Sequence, residues 1–342
     1  GREFIRVFEQ AASDVIAAEG GARRGLAWAT VTTAAPAEPR TSPAAAVGMV
    51  LGAAASVQVG ATAASALFPS VGAVGAAALR LLLAALVMAL AVRPRAWRWD
   101  RRQLGLSAAF GAVLAAMNTS FYAALTHIPL GVAVTCEFLG PLVLSAVLTR
   151  RRRDLVWVVL ALAGVVALGL GGDGEGGALE PVGVLLALLA GAFWAGYVLL
   201  SARVGAAVPG QGGLAVASVV AGALVLPLGI GTAGADLLRP HVLLLGLAAA
   251  LMSSVLPYSL ELVALRRLPE RTFGVLLSLE PAIAALVGWL LLSQALPASS
   301  VAAVAVVVVA SAGATATARR EPAPGGALAD PGVATHVQDR DG

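Results

Sequence analysis

Ten apolar runs, each close to the length a helix needs to cross a bilayer, fill this chain from residue 44 to residue 317. They lie at 44–66, 70–92, 104–125, 128–149, 155–172, 179–201, 211–231, 241–264, 272–293 and 297–317. A helix crosses the hydrocarbon core in about 20 residues. Composition closes off the soluble alternative, because 59% of the residues are apolar and only 12% are charged. A soluble domain carries about 25% charged residues and needs them to face water. Mean hydropathy is +0.88. The runs predict an all-α integral membrane protein of ten transmembrane helices, with lipid as much of its solvent.

Arginine placement supplies the topology. All 23 basic residues are arginine. With the N-terminus inside, the inner loops hold Arg93, Arg95, Arg98, Arg101 and Arg102, then Arg150 to Arg153. Farther along the same side come Arg203, then Arg266, Arg267 and Arg271, then Arg319 and Arg320. The outer loops hold only Arg239, with the acids Asp173, Glu175, Glu180 and Asp236. Removing one helix would scramble this alternation. The positive-inside rule therefore supports ten spans with both termini cytoplasmic, and the expected location is a bacterial-type inner membrane. The basic pI of about 10.1 is then a topology signal, and no nucleic-acid partner is expected.

Residues 1–42 stand apart as an N-terminal extension, read either as a short interfacial helix or as a disordered segment. Its early residues are charged and lack the compact apolar core of a signal peptide. Residues 318–342 are rich in Pro, Gly and Asp and read as a disordered cytoplasmic tail. The lone cysteine, Cys136, excludes an intramolecular disulfide and a thiolate metal site. His127, His241 and His336 are far apart in sequence and form no ligand motif. No cofactor is expected, and no Gly-rich phosphate loop points to ATP.

An internal repeat is written into the prolines. Pro129 and Pro141 are twelve residues apart, as are Pro269 and Pro281. A shift of 140 superposes the third and fourth runs on the eighth and ninth, and places Asn118 on Tyr258. A shift of 136 places Gly60 and Ser65 on Gly196 and Ser201. This divides the membrane region into five-helix units at 43–172 and 179–317. Because five is odd, the second unit enters from the opposite side. Inverted repeats are a transporter device that brackets a site near the midplane.

Ionisable residues inside the runs are the candidates for that site. Arg80, Glu137 and Glu280 lie well within theirs, and Glu261 lies near a cytoplasmic end. A charge at mid-membrane costs about 2.5–3.5 kcal/mol on the insertion scale, so such groups face a cavity or one another. Glu261 has a second reading, in which it snorkels toward Arg266. Helical spacing groups Ser254, Pro257, Tyr258 and Glu261 on one face. It also groups Gln58 with Thr62 and Ser65, Asn118 with Tyr122, and Trp194 with Tyr197. The competing reading is that these polar groups join helices by hydrogen bonds. Pro141, Pro257 and Pro281 each remove a helix hydrogen bond, giving either a broken helix at the site or a packing kink.

Four stretches carry a family resemblance: SVQVGATAASALFPSVG (56–72), IPLGVAVTCEFLGPL (128–142), AGAFWAGYVLLS (190–201) and LPYSLELVALRRLPERTFGVLLSLEP (256–281). They resemble the bacterial threonine/homoserine exporters of the EamA-type branch of the drug/metabolite transporter superfamily. The resemblance covers roughly 44–317. It implies ten helices as two inverted five-helix EamA repeats, with helices one to four and six to nine around a central cavity. Many relatives carry Gly-Glu at the end of the ninth span, where this chain has Ser293-Gln294. Any role of that glutamate does not carry over.

The resemblance thus implies a secondary active exporter of small neutral amino acids, not an enzyme, with the substrate, protons and lipid as partners. A homodimer is left open. The alternative on the same fold moves another metabolite or drug, since fold does not dictate substrate. A receptor or membrane enzyme is disfavoured, because no metal cluster or nucleophile–base pair is legible. Proton exchange would supply about 2.3 kcal/mol per 100 mV for each charge moved, and about 1.4 kcal/mol per pH unit.

Overall fold

The structure is a computed structural model that describes residues 43–149, 154–170, 179–208, 210–257, 260, 264 and 268–317. The expectations for 1–42 and 318–342, and for Tyr258 and Glu261, lie outside the described residues. Every regular element described is a helix. In chain order these are α1 (Pro43–Ser65), α2 (Phe68–Val92), α3 (Arg101–Ala124), α4 (Leu130–Glu137), α5 (Leu139–Thr149) and α6 (Asp154–Leu170). The second half holds α7 (Pro181–Ala207), α8 (Gly212–Ala233), α9 (Pro240–Ala250), α10 (Glu270–Leu277), α11 (Glu280–Leu292) and α12 (Ala298–Thr317). Among the described residues eight helical stretches are long and apolar enough to cross a membrane, counting α4–α5 as one and α10–α11 as one. Two apolar helices, Leu155–Leu168 and Pro240–Ser254, are shorter. The chain is a multi-pass membrane protein.

Local chemistry explains where the helices start. Asp100 caps α3 in a reciprocal box: its carboxylate accepts from the Gln103 N–H at 2.7 Å, and the Gln103 side chain accepts from the Asp100 N–H at 3.1 Å. Such a box satisfies two otherwise unpaired donors. Proline opens α2, α7, α9 and α11, where its missing N–H does no harm. At the other end of α11, Ser293 sits at φ 54°. That left-handed conformation favours glycine.

Proline also explains the breaks. A proline inside a helix leaves the carbonyl four residues earlier unpaired and crowds it. Pro141 does this to Glu137, the last residue of α4, and Pro281 to Leu277, the last of α10. Pro257 lies two residues past a π turn at Leu251–Val255, where the Leu256 N–H reaches back five residues to Leu251. Such turns gather at functional sites. In α2, Gly72 interrupts the helix at φ 69°, ψ 171°.

Packing depends on small residues. Lipid is as apolar as leucine, so membrane helices associate through close van der Waals fit. Buried Ala77, Ala78, Ala221 and Ala249 form one such layer with Tyr122. Large side chains such as Leu86, Leu90, Leu185, Leu228 and Leu290 are instead exposed on the outside, where the hydrocarbon receives them. Helix α2 packs along α8, α3 lies against α7 and α8, and α6 lies against α12. Helix α4 lies against α11, and α1 lies against α9, α10 and α11.

Candidate functional site

The helices surround a chamber of about 340 Å³, walled by residues from α1 to α4, α7, α8 and α11, and by Ser253, Ser254 and Pro257 beyond the end of α9. Ten of the residues singled out in the sequence line it: Gln58, Arg80, Asn118, Tyr122, Glu137, Trp194, Tyr197, Ser254, Pro257 and Glu280. Its volume falls in the range of about 300–1,000 Å³ typical of small-molecule sites.

Arg80 is held from two sides. One terminal nitrogen donates to the Ser253 hydroxyl at 2.6 Å, and the other donates to the Asn118 side-chain oxygen. The guanidinium carbon lies 5.3 Å from the centre of the Tyr122 ring, within cation–π range. Each holder is itself held: the Asn118 amide donates to the Leu114 carbonyl at 2.8 Å, and the Ser253 hydroxyl donates to the Ala249 carbonyl at 2.7 Å. Guanidinium has five N–H donors, and these two contacts leave several, including a buried Nε–H with no partner among the described residues. Among the described residues no carboxylate stands within ion-pair distance of Arg80.

Glu137 closes α4 and Glu280 opens α11, so both carboxylates stand at breaks in the helical backbone. Both are half-buried on the chamber wall. Glu280 and Trp194 also border a smaller recess of about 70 Å³ that includes Ser145, Ser278, Ser311 and Thr315. Aromatic contacts set the remaining wall. Trp194 meets Phe138 edge-on at 5.0 Å, and Tyr197 lies 4.9 Å from Phe110. Tyr122 meets both Phe68 and Phe121 edge-on.

Thr62 is not among the lining residues. Its hydroxyl turns back to the Gln58 carbonyl at 3.0 Å. Conversely, Ser253 and Ser218 line the chamber and were not singled out. The signal for Ser253 was Pro257, four residues on, because the π turn presents both Ser253 and Ser254. Gln294 caps the start of α4, accepting from the Leu130 N–H at 2.9 Å.

One glycine contact ties packing to the site. A β-carbon at Gly191 on α7 would stand 2.5 Å from the Glu137 carbonyl oxygen. The Gly191→Ala variant should therefore insert normally but lose most of its transport, because α4 must shift and carry Glu137 with it. Wild-type transport at matched membrane levels would show that the helix pair yields without moving the carboxylate.

Comparison with known proteins gives the family. Residues 181–316 match the EamA-like transporter family. The threonine/homoserine exporter RhtA of Salmonella typhimurium is 43% identical over 268 residues, covering 78% of this chain and 90% of that one. The exporter of the same name from Escherichia coli K12 is 44% identical over 249 residues, covering 72% and 83%. A solved crystal structure shares the fold with a TM-score of 0.51 at 21% identity, covering 81% of this chain and 97% of that one. At that identity the likeness concerns the fold alone. Identity above 40% along nearly the whole of those relatives is decisive: the chain belongs to the EamA-like transporter family.

Proposed function

We propose that this chain is a secondary active exporter of small neutral amino acids of the threonine/homoserine type, proton-coupled and working by alternating access. The observation that carries the reading is one small chamber walled by Arg80, Glu137 and Glu280. An amino acid is a zwitterion, so its site needs N–H donors for the carboxylate and an anion for the ammonium. Arginine suits the first because its planar fork matches a carboxylate. A second glutamate exceeds what a zwitterion requires. With both glutamates ionised the three groups carry a net negative charge, and one proton cancels it. A neutral chamber is the cheaper one to hold within hydrocarbon. The name shared by the relatives supports threonine and homoserine as substrates.

The inverted repeat supplies the route. Ten spans follow if the two shorter helices also cross, and the helix pairings then recur under a shift of five. The contact of α3 with α7 corresponds to that of α9 with α1, and that of α4 with α7 to that of α11 with α1. The contacts of α2 with α8, α4 with α11 and α6 with α12 map onto themselves. Two halves so related can exchange conformations about a shared site.

Two experiments test this reading. Purified protein in liposomes should catalyse counterflow of labelled threonine and homoserine; binding without movement would make the chain a receptor instead. Reporter fusions after Arg95, Arg152 and Arg320 should signal cytoplasm, and fusions after Gly174 and Asp236 the outside of an inner membrane. The opposite signal at any two sites would overturn the ten-span arrangement.

A further inference from the structure

Gln58 stands apart from the other polar residues of α1, whose hydroxyls find partners inside the protein, Ser56 across to another element and Thr62 and Ser65 back on α1 itself. The Ser56 hydroxyl donates across to the Met252 carbonyl at 2.6 Å, and Ser65 bonds back to the Thr62 carbonyl at 2.9 Å. The Gln58 side chain is 2% exposed and lines the chamber, yet its amide oxygen is buried with no hydrogen-bond partner among the described residues. An unmet buried acceptor costs about 1–3 kcal/mol. Such a cost at a chamber wall points to a donor that arrives with the substrate.

The other polar groups of the chamber narrow down which donor. Arg80 and the glutamates address the carboxylate and ammonium, which every amino acid carries, and so cannot select among amino acids. Much of the remaining wall is apolar, with Val57, Ala61 and Val134 near at hand. A hydroxyl on the substrate side chain needs an acceptor, and an amide oxygen supplies one without adding charge.

We propose that Gln58 accepts a hydrogen bond from the side-chain hydroxyl of the substrate, and so separates hydroxylated amino acids from isosteres that lack the hydroxyl. This inference rests on the reading of the chamber as an amino-acid site. A pocket built to bond a hydroxyl rejects the analogue without one far more strongly than an apolar pocket separates the two.

The test is counterflow in proteoliposomes with two isosteric pairs, threonine against valine and homoserine against norvaline. Wild type should favour the hydroxylated member of each pair by at least about tenfold. Gln58→Leu should bring both ratios to within about threefold of unity. Gln58→Glu, which keeps an acceptor oxygen, should keep threonine ahead of valine. Where Gln58→Leu fails to insert, Gln58→Met gives the same reading with an unbranched side chain of similar length. Retention of the wild-type ratios in Gln58→Leu overturns the proposal, as does an equal loss for all four amino acids, which marks a packing role. Wild type that moves all four alike overturns it while leaving the amino-acid exporter intact. Wild type that moves none of the four removes the exporter reading, and this proposal with it.

Discussion

Replacing Arg80 with alanine should abolish transport while leaving membrane insertion unchanged. Removing one member of a buried, hydrogen-bonded charge pair costs about 2–5 kcal/mol, or about thirty- to several thousand-fold in affinity at about 1.4 kcal/mol per tenfold. The fold should tolerate the change, because Asn118 and Ser253 each keep a bond to a helix carbonyl when the guanidinium is gone. Arg80→Lys should restore little. Ammonium is a compact charge without the planar fork, and it cannot hold both Asn118 and Ser253 while presenting a paired edge to a carboxylate. The measurements are threonine counterflow and equilibrium binding, normalised to inserted protein. Full activity in Arg80→Ala would reduce the residue to a packing element.

Glu137→Gln and Glu280→Gln should separate two roles that no geometric feature yet divides. If one carboxylate carries the proton, its glutamine variant loses efflux driven by a pH gradient yet keeps counterflow, since exchange of substrate for substrate moves no net proton. If the other binds the ammonium, its variant loses both, again by about thirtyfold or more. Under the proposed repeat the two glutamates would not be equivalent, because the shift of 140 places Glu137 on Leu277, which leaves room for different tasks. Wild-type behaviour of both variants in both assays would remove both glutamates from the mechanism.

The charged part of this site was legible in the sequence because ionised groups are rare in apolar runs and must face something polar. Arg80, Glu137 and Glu280 could be named before any coordinate, and all three meet in one chamber. The hydroxyls were less legible, because a serine or threonine in a membrane helix can bond back to its own backbone. Thr62 does so and is absent from the chamber lining, although it shares a helical face with Gln58. Ser253 was hidden for another reason: the turn ahead of Pro257 has π geometry, which shifts the face that regular spacing assigns. Eight of the ten runs correspond to helical stretches long and apolar enough to cross a membrane among the described residues, while the fifth and eighth runs extend into residues outside the described set and their described parts are shorter.

Cys136 has a practical consequence. It is the only cysteine in the chain, and it is fully buried in α4. In this conformation the native protein therefore offers no exposed thiol to a maleimide or methanethiosulfonate probe. Single cysteines introduced at chamber positions such as Ser218 or Ser254 would be read against a silent background. Reagents added to one side of the membrane or the other would then report directly which face the chamber opens to, and how that changes when substrate is added.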